Sequence, residues 1–337
     1  MSEKITVKGL WQVLKEAGNG FLADKVPKLS GALAYYTIFS IGPMLLIIIY
    51  FANLFYGQQA VEGKIVNQLG TLIGEGAAGQ IEQIIRNASV GGGSYIAVVL
   101  GFITLFIGGT TVFAEIQDSI NMIWNLRLKK NTGWRKLLWT RILSFSTVLG
   151  LGFVLLVSLV LNALLEGLMD KIRELFPGVA ITFIYIINLL MTLFVTTLLF
   201  GIIYKVLPDA EIKWRDVSVG ALFAAILFML AKFGITFYIG QSNFSNTYGA
   251  AGSLVVLLSW IYFSSMILYF GAEFTKAYAV NYGREIRPNK YTVTIQRVEV
   301  ESNKKSIQEN EADKEETLRK TQEEKDKETV RNVKTKK

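Results

Sequence analysis

The sequence predicts an all-α fold: a polytopic membrane bundle of about six transmembrane helices, with an N-terminal amphipathic helix and both termini cytoplasmic. Three observations carry this. Hydrophobic residues make up 51% of the 337 while charged residues make up only 18%, too few for the polar surface of a soluble chain of this length. Apolar runs of about 20 residues recur, and each can cross a hydrocarbon core of ~30 Å as a helix. Lys and Arg are plentiful in alternate connections and sparse in the others, which sets an orientation.

The spans are read at about 32–56, 93–115, 139–165, 180–204, 217–240 and 252–277. They are expected to be helical because a helix closes its backbone hydrogen bonds within one segment. Residues 1–28 carry Lys4, Lys8, Lys15, Lys25 and Lys28 and lack the early apolar core of a cleavable signal peptide, so the first span is read as retained. Arg127, Lys129, Lys130, Arg135 and Lys136 follow the second span, and Lys205, Lys213 and Arg215 follow the fourth. The outer connections hold few cations, and 242–251 holds none.

Within 5–22, Leu10, Leu14, Ala17, Phe21 and Leu22 share a helical face with Trp11 beside them, opposite Lys8, Lys15 and Glu16. Two compatible readings follow: an interfacial helix on the cytoplasmic leaflet, or a helix packed on the bundle. The outer loop 57–92 repeats apolar residues at helical spacing and reads as two short amphipathic helices, either a surface connector or a cap over a cavity. Residues 283–337 combine 15 Lys and Arg with 12 Asp and Glu. This mixed composition predicts a disordered cytoplasmic tail, with room for a protein partner and no groove for nucleic acid.

Chemistry is bounded by what is missing. There is no Cys and no His, which removes disulfides, thiol nucleophiles, the usual general base and the commonest zinc ligands. No phosphate-binding loop of the Gly-x4-Gly-Lys-Ser/Thr type occurs, no cofactor is implied, and no nucleophile–base pair stands out. A non-enzymatic protein is expected.

Ionisable groups inside spans are expensive, so each is a functional candidate. Glu115 and Asp118 end the second span, Lys232 lies deep in the fifth, and Glu273 sits one turn inside the sixth. Helical rise separates Lys232 from Glu273 in depth by roughly 16 Å, which argues against a direct pair. Lys232 is left to snorkel or to face a wet cavity. Tyr185, Asn188, Thr192 and Thr196 form one polar stripe, and Ser259, Tyr262, Tyr269 and Glu273 another. Such stripes serve as helix–helix glue or as a cavity wall. In the first span, Gly42-Pro43 predicts a kink, with Tyr35 and Tyr36 on its cytoplasmic half facing protein or water. Asn246, Thr247, Tyr248 and Gly249 suit a tight, uncharged outer turn. The candidate substrate pathway is therefore Tyr35, Tyr36, Pro43, Glu115, Asp118, Asn188, Thr192, Lys232, Tyr262, Tyr269 and Glu273.

Four stretches carry a resemblance: Asp24 followed by LSGALAYYTIFSIGP, INMIW at 120–124, YKVLPDAEIKWRDVSVGALFAA at 204–225, and SNTYGAAGSLVVLLSWIYFSSMILYFGAEF at 245–274. Together they resemble the YihY/virulence factor BrkB family of bacterial inner-membrane proteins over residues about 10 to 280. Lys25 stands where that family often has Arg, keeping the charge but losing the planar fork. The resemblance implies six spans with cytoplasmic termini. The family has also carried a ribonuclease label, which a chain without His or Cys does not support through zinc chemistry. The leading expectation is a transporter that moves a lipid or other amphiphile, in contact with membrane lipids. The alternatives are an ion-coupled small-cation transporter using Glu115 and Glu273, or a non-transporting scaffold.

Overall fold

The computed structural model describes residues 6–40, 110–129, 180–241, 252–283 and 285–295, with a few isolated positions besides. The expected third span, the loop 57–92, Pro43 and the turn bearing Asn246, Thr247, Tyr248 and Gly249 lie outside these residues.

Six helical stretches are described: α1 (Val7–Ala23), α2 (26–40), α3 (110–123), α4 (Ala180–Val206), α5 (Trp214–Gln241) and α6 (Gly252–Asn281). Three of them, α4, α5 and α6, are long and apolar enough to cross a membrane. At ~1.5 Å per residue each exceeds a ~30 Å hydrocarbon core, so each has turns to spare beyond it. The expected spans 180–204, 217–240 and 252–277 fall inside these helices.

The helices meet through small residues. α5 packs against both α4 and α6. A Cβ at Gly271 would stand 2.6 Å from that of Ala224, so backbone meets side chain directly where α5 and α6 run antiparallel. Tyr204 of α4 donates its hydroxyl to the Leu268 carbonyl at 2.7 Å, and Trp124, just past α3, donates its indole N–H to the Ala272 carbonyl at 3.1 Å. Both donors are buried, where an unmade bond would be costly. Hydroxyls inside the helices are satisfied locally: Thr37, Thr197, Ser265 and Thr275 each donate to the carbonyl four residues back, at 2.7 Å.

α1 begins with Thr6, whose hydroxyl caps Gly9 N–H at 3.2 Å. It lies antiparallel along the end of α6, with Gly9 near Tyr282 and Gly20 near Glu273. Its contact row is Gly9, Val13, Ala17 and Gly20, facing Phe274, Ala277 and Tyr278. The seam is thus rotated from the expected apolar face. Bulky Leu10, Trp11 and Leu22 stay exposed because the aromatic side chains of α6 need small partners. Packing on the bundle, one of the two sequence readings, describes this inner row.

The all-α expectation needs one addition. Two short antiparallel ladders tie the helix ends together: β1 (Leu126–Leu128) with β4 (Thr292–Thr294), and β2 (Ala210–Glu211) with β3 (Arg287–Pro288). The expected charged tail from 283 is corrected accordingly. Residues 285–295 belong to the compact unit, which runs to Ile295, because their backbone groups pair with the connections after α3 and α4.

Candidate functional site

Two buried polar clusters sit at the end of the bundle where these ladders lie. The first centres on Glu273. Its side chain is 2% exposed, and its Oε2 lies 3.5 Å from Lys276 Nζ, one helical turn on. The same ammonium reaches Asp24 Oδ2 at 3.6 Å. Two carboxylates, one on α6 and one capping the end of α1, therefore share one cation. Glu273 Oε1 has no hydrogen-bond partner among the described residues. The site exists because α1 stops here. Asp24 N–H bonds the Gly20 carbonyl at 2.8 Å, and Lys25 takes the left-handed conformation at φ 54° to turn the chain into α2. Gly20 itself lets the α1 backbone reach the carboxylate, since a Cβ there would come within 2.5 Å of Oε2.

One turn along α6, Tyr269 is fully buried with its hydroxyl beside Ser119 of α3, in no well-formed hydrogen bond. Ser119 hydrogen-bonds the half-buried Glu115. Thus the structure brings Glu115 and Tyr269 together around Ser119, leaves Asp118 exposed on α3, and sets Glu273 on the Tyr269 face of α6. Among the described residues no three acidic groups converge as a metal site.

Other candidates fall elsewhere. Tyr35 and Tyr36 are 59% and 39% exposed and stack edge to face with each other, with Phe39 beside Tyr35. Thr192 is exposed and Tyr262 half-buried. Lys232 is exposed on α5, and the counter-ion of Glu273 is Lys276. Asn188 lies in α4, with its side chain outside the described residues.

The second cluster was not visible as a unit in the sequence. Asp209, 4% exposed in the α4–α5 connection, accepts three amide N–H bonds: from Gln117 at 3.0 Å, Asn121 at 3.1 Å and Asn289 at 2.9 Å. Its own N–H donates to Asn121 Oδ1 at 2.8 Å, and its carbonyl accepts from the Thr292 hydroxyl at 2.8 Å. One residue thereby fastens α3, the α4–α5 connection and the β3–β4 segment. The signal available was the pairing of INMIW with LPDAEIKW, but their partners lie far apart in sequence.

The sequence profile of the family described as "Virulence factor BrkB" matches residues 17–295, a range that ends where the compact unit ends. A UPF0761 membrane protein of Psychromonas ingrahamii is 32% identical over 267 residues, covering 75% of this chain and 82% of that one. One from Vibrio parahaemolyticus is 30% identical over 266 residues, covering 75% and 78%, and one from Tolumonas auensis is 28% identical over 258, covering 75% and 80%. No solved structure matches. The profile match over most of the chain, with these relatives, shows that the chain belongs to the YihY/BrkB (UPF0761) family of bacterial membrane proteins.

Proposed function

We propose that the protein is a transporter that moves a lipid or other amphiphile across or within the bacterial plasma membrane, with six spans and both termini cytoplasmic. The observation that carries this reading is Glu273. A carboxylate buried between α1 and α6, sharing Lys276 with Asp24 and holding one unpartnered oxygen, is costly to keep for packing alone. It sits where an ion or a polar headgroup would be exchanged as α1 shifts against α6. The exposed lysines Lys8, Lys15, Lys25, Lys28 and Lys129 lie at the same end, which supports a cytoplasmic assignment for it.

The unpartnered Glu273 oxygen also supports coupling to a small cation, which is the second reading. One assay separates the two. Reconstituted parent and Glu273→Gln protein are compared for fluorescent-lipid flipping and for cation flux in the same liposomes. Lipid movement in the parent that Glu273→Gln abolishes supports the first reading. Cation flux without lipid movement supports the second. Equal lipid flipping by parent and variant removes Glu273 from the mechanism.

A further inference from the structure

Between α5 and α6 lies an open groove of 240 Å³ whose lining is apolar throughout. Leu227, Ala231 and Ile235 form one wall at four-residue spacing, Met266 and Phe270 form the other, and Phe21 of α1 closes one end. Leu227 to Ile235 spans about 12 Å of helix, close to the depth of one leaflet of a ~30 Å hydrocarbon core. α5 and α6 are both apolar enough to span a membrane, so hydrocarbon is the filling that complements the groove.

Phe21 fixes the polar end. It packs edge to face on Phe270 at 5.7 Å and follows Gly20, the residue in contact with Glu273. Within the next two turns of chain come Lys25 and Lys28, both exposed. Lys25 is held in its left-handed turn, and Lys28 N–H bonds the Lys25 carbonyl at 2.8 Å. Neither is assigned an ion pair among the described residues, whereas Lys276 is engaged by two carboxylates. An apolar slot that reaches Phe21, followed in the chain four and seven residues later by exposed lysines, complements one kind of molecule: an acyl chain attached to an anionic phosphate headgroup.

We infer that the α5–α6 groove, closed by Phe21, holds one acyl chain of an anionic phospholipid whose headgroup is bound at Lys25 and Lys28. A held lipid requires no translocation, so this assignment and the transporter reading fail separately.

The test is photo-crosslinking of the full chain in nanodiscs with phosphatidylglycerol bearing a diazirine on its acyl chain, read by peptide mass spectrometry. Adducts should favour Ala231, Met266 and Phe270 over the exposed α4 residues Leu190, Phe194 and Leu198 by about tenfold, as a retained chain exceeds annular exchange. Equal labelling of both sets would overturn the site. Ala231→Trp, which fills the groove, should reduce groove adducts by about tenfold, and undiminished adducts on Met266 and Phe270 would overturn it too. The Lys25→Ala/Lys28→Ala double variant should lower labelling by the phosphatidylglycerol probe and leave that by a phosphatidylcholine probe unchanged. Equal phosphatidylglycerol labelling in parent and double variant would overturn the headgroup assignment.

Discussion

Gly20 lies against Glu273 so closely that a single added methyl would stand 2.5 Å from the carboxylate oxygen. That contact joins the N-terminal amphipathic helix to the one acidic residue of α6. It makes the identity of one small residue in α1 a condition for the charge cluster.

Gly20→Ala should therefore destabilise the protein by ~1–3 kcal/mol, the range for forcing a group into a filled site. Gly18, two positions away, has nothing within 4 Å of a Cβ. Gly18→Ala should be neutral or stabilising by up to ~1 kcal/mol through helix propensity. Thermal unfolding in detergent measures both. Equal destabilisation by the two changes would mean that α1 is not seated on α6 as described.

Asp209 predicts a second stability effect. Asp209→Ala leaves the buried amides of Gln117 and Asn121 and the half-buried amide of Asn289 without their acceptor, at a cost of ~3–5 kcal/mol. Asp209→Asn keeps the volume but sets an amide N–H against amide donors, and should cost ~2 kcal/mol. Limited proteolysis is the direct readout, with new cleavage expected within 285–295 in both variants. Protection equal to the parent would show that the segment is held by its ladders alone.

The end of the folded part is checked by truncation. Ending the chain after Ile295 keeps both ladders and the Asp209 bonds, so extraction yield and melting temperature should match the full chain. Ending it after Gly283 removes β3, β4 and the Asn289 and Thr292 partners. That shorter chain should aggregate or melt several degrees lower, since each ~1 kcal/mol lost shifts a large domain by roughly 2 °C and both ladders and two Asp209 partners go together. Size-exclusion profiles of the two truncations decide it. Identical behaviour would return the boundary to 283.

What could be read from the sequence follows physical range. The apolar runs of α4, α5 and α6 are local, and their spans are legible to within a few residues. Glu273 and Tyr269 are legible as polar residues on an apolar helix. Lys276 is not legible as the counter-ion, because a lysine near a helix end carries no signal of pairing. The seam of α1 is not legible from hydrophobicity, because Gly9, Val13, Ala17 and Gly20 fit α6 by their size. The ladders are not legible because strands of two or three residues have no detectable period, and Thr-Val-Thr is embedded in charge. The Asp209 cluster joins residues 80 to 92 positions apart, beyond any local pattern.

The shared cation gives the last prediction. Lys276 is 25% exposed and Asp24 11%, so their interaction is only partly screened. Lys276→Met leaves the Asp24 and Glu273 carboxylates facing one another without a counter-ion, and should cost ~3 kcal/mol. Adding Asp24→Asn removes one of the two opposed charges, so the double variant should be more stable than Lys276→Met alone by ~1 kcal/mol. Asp24→Asn on its own should cost less than Lys276→Met, because Lys276 keeps Glu273. A double-mutant cycle by thermal or denaturant unfolding measures the coupling. Strict additivity would mean that the three groups do not act as one cluster, and Glu273 would then lose its claim to a position linking α1 to α6.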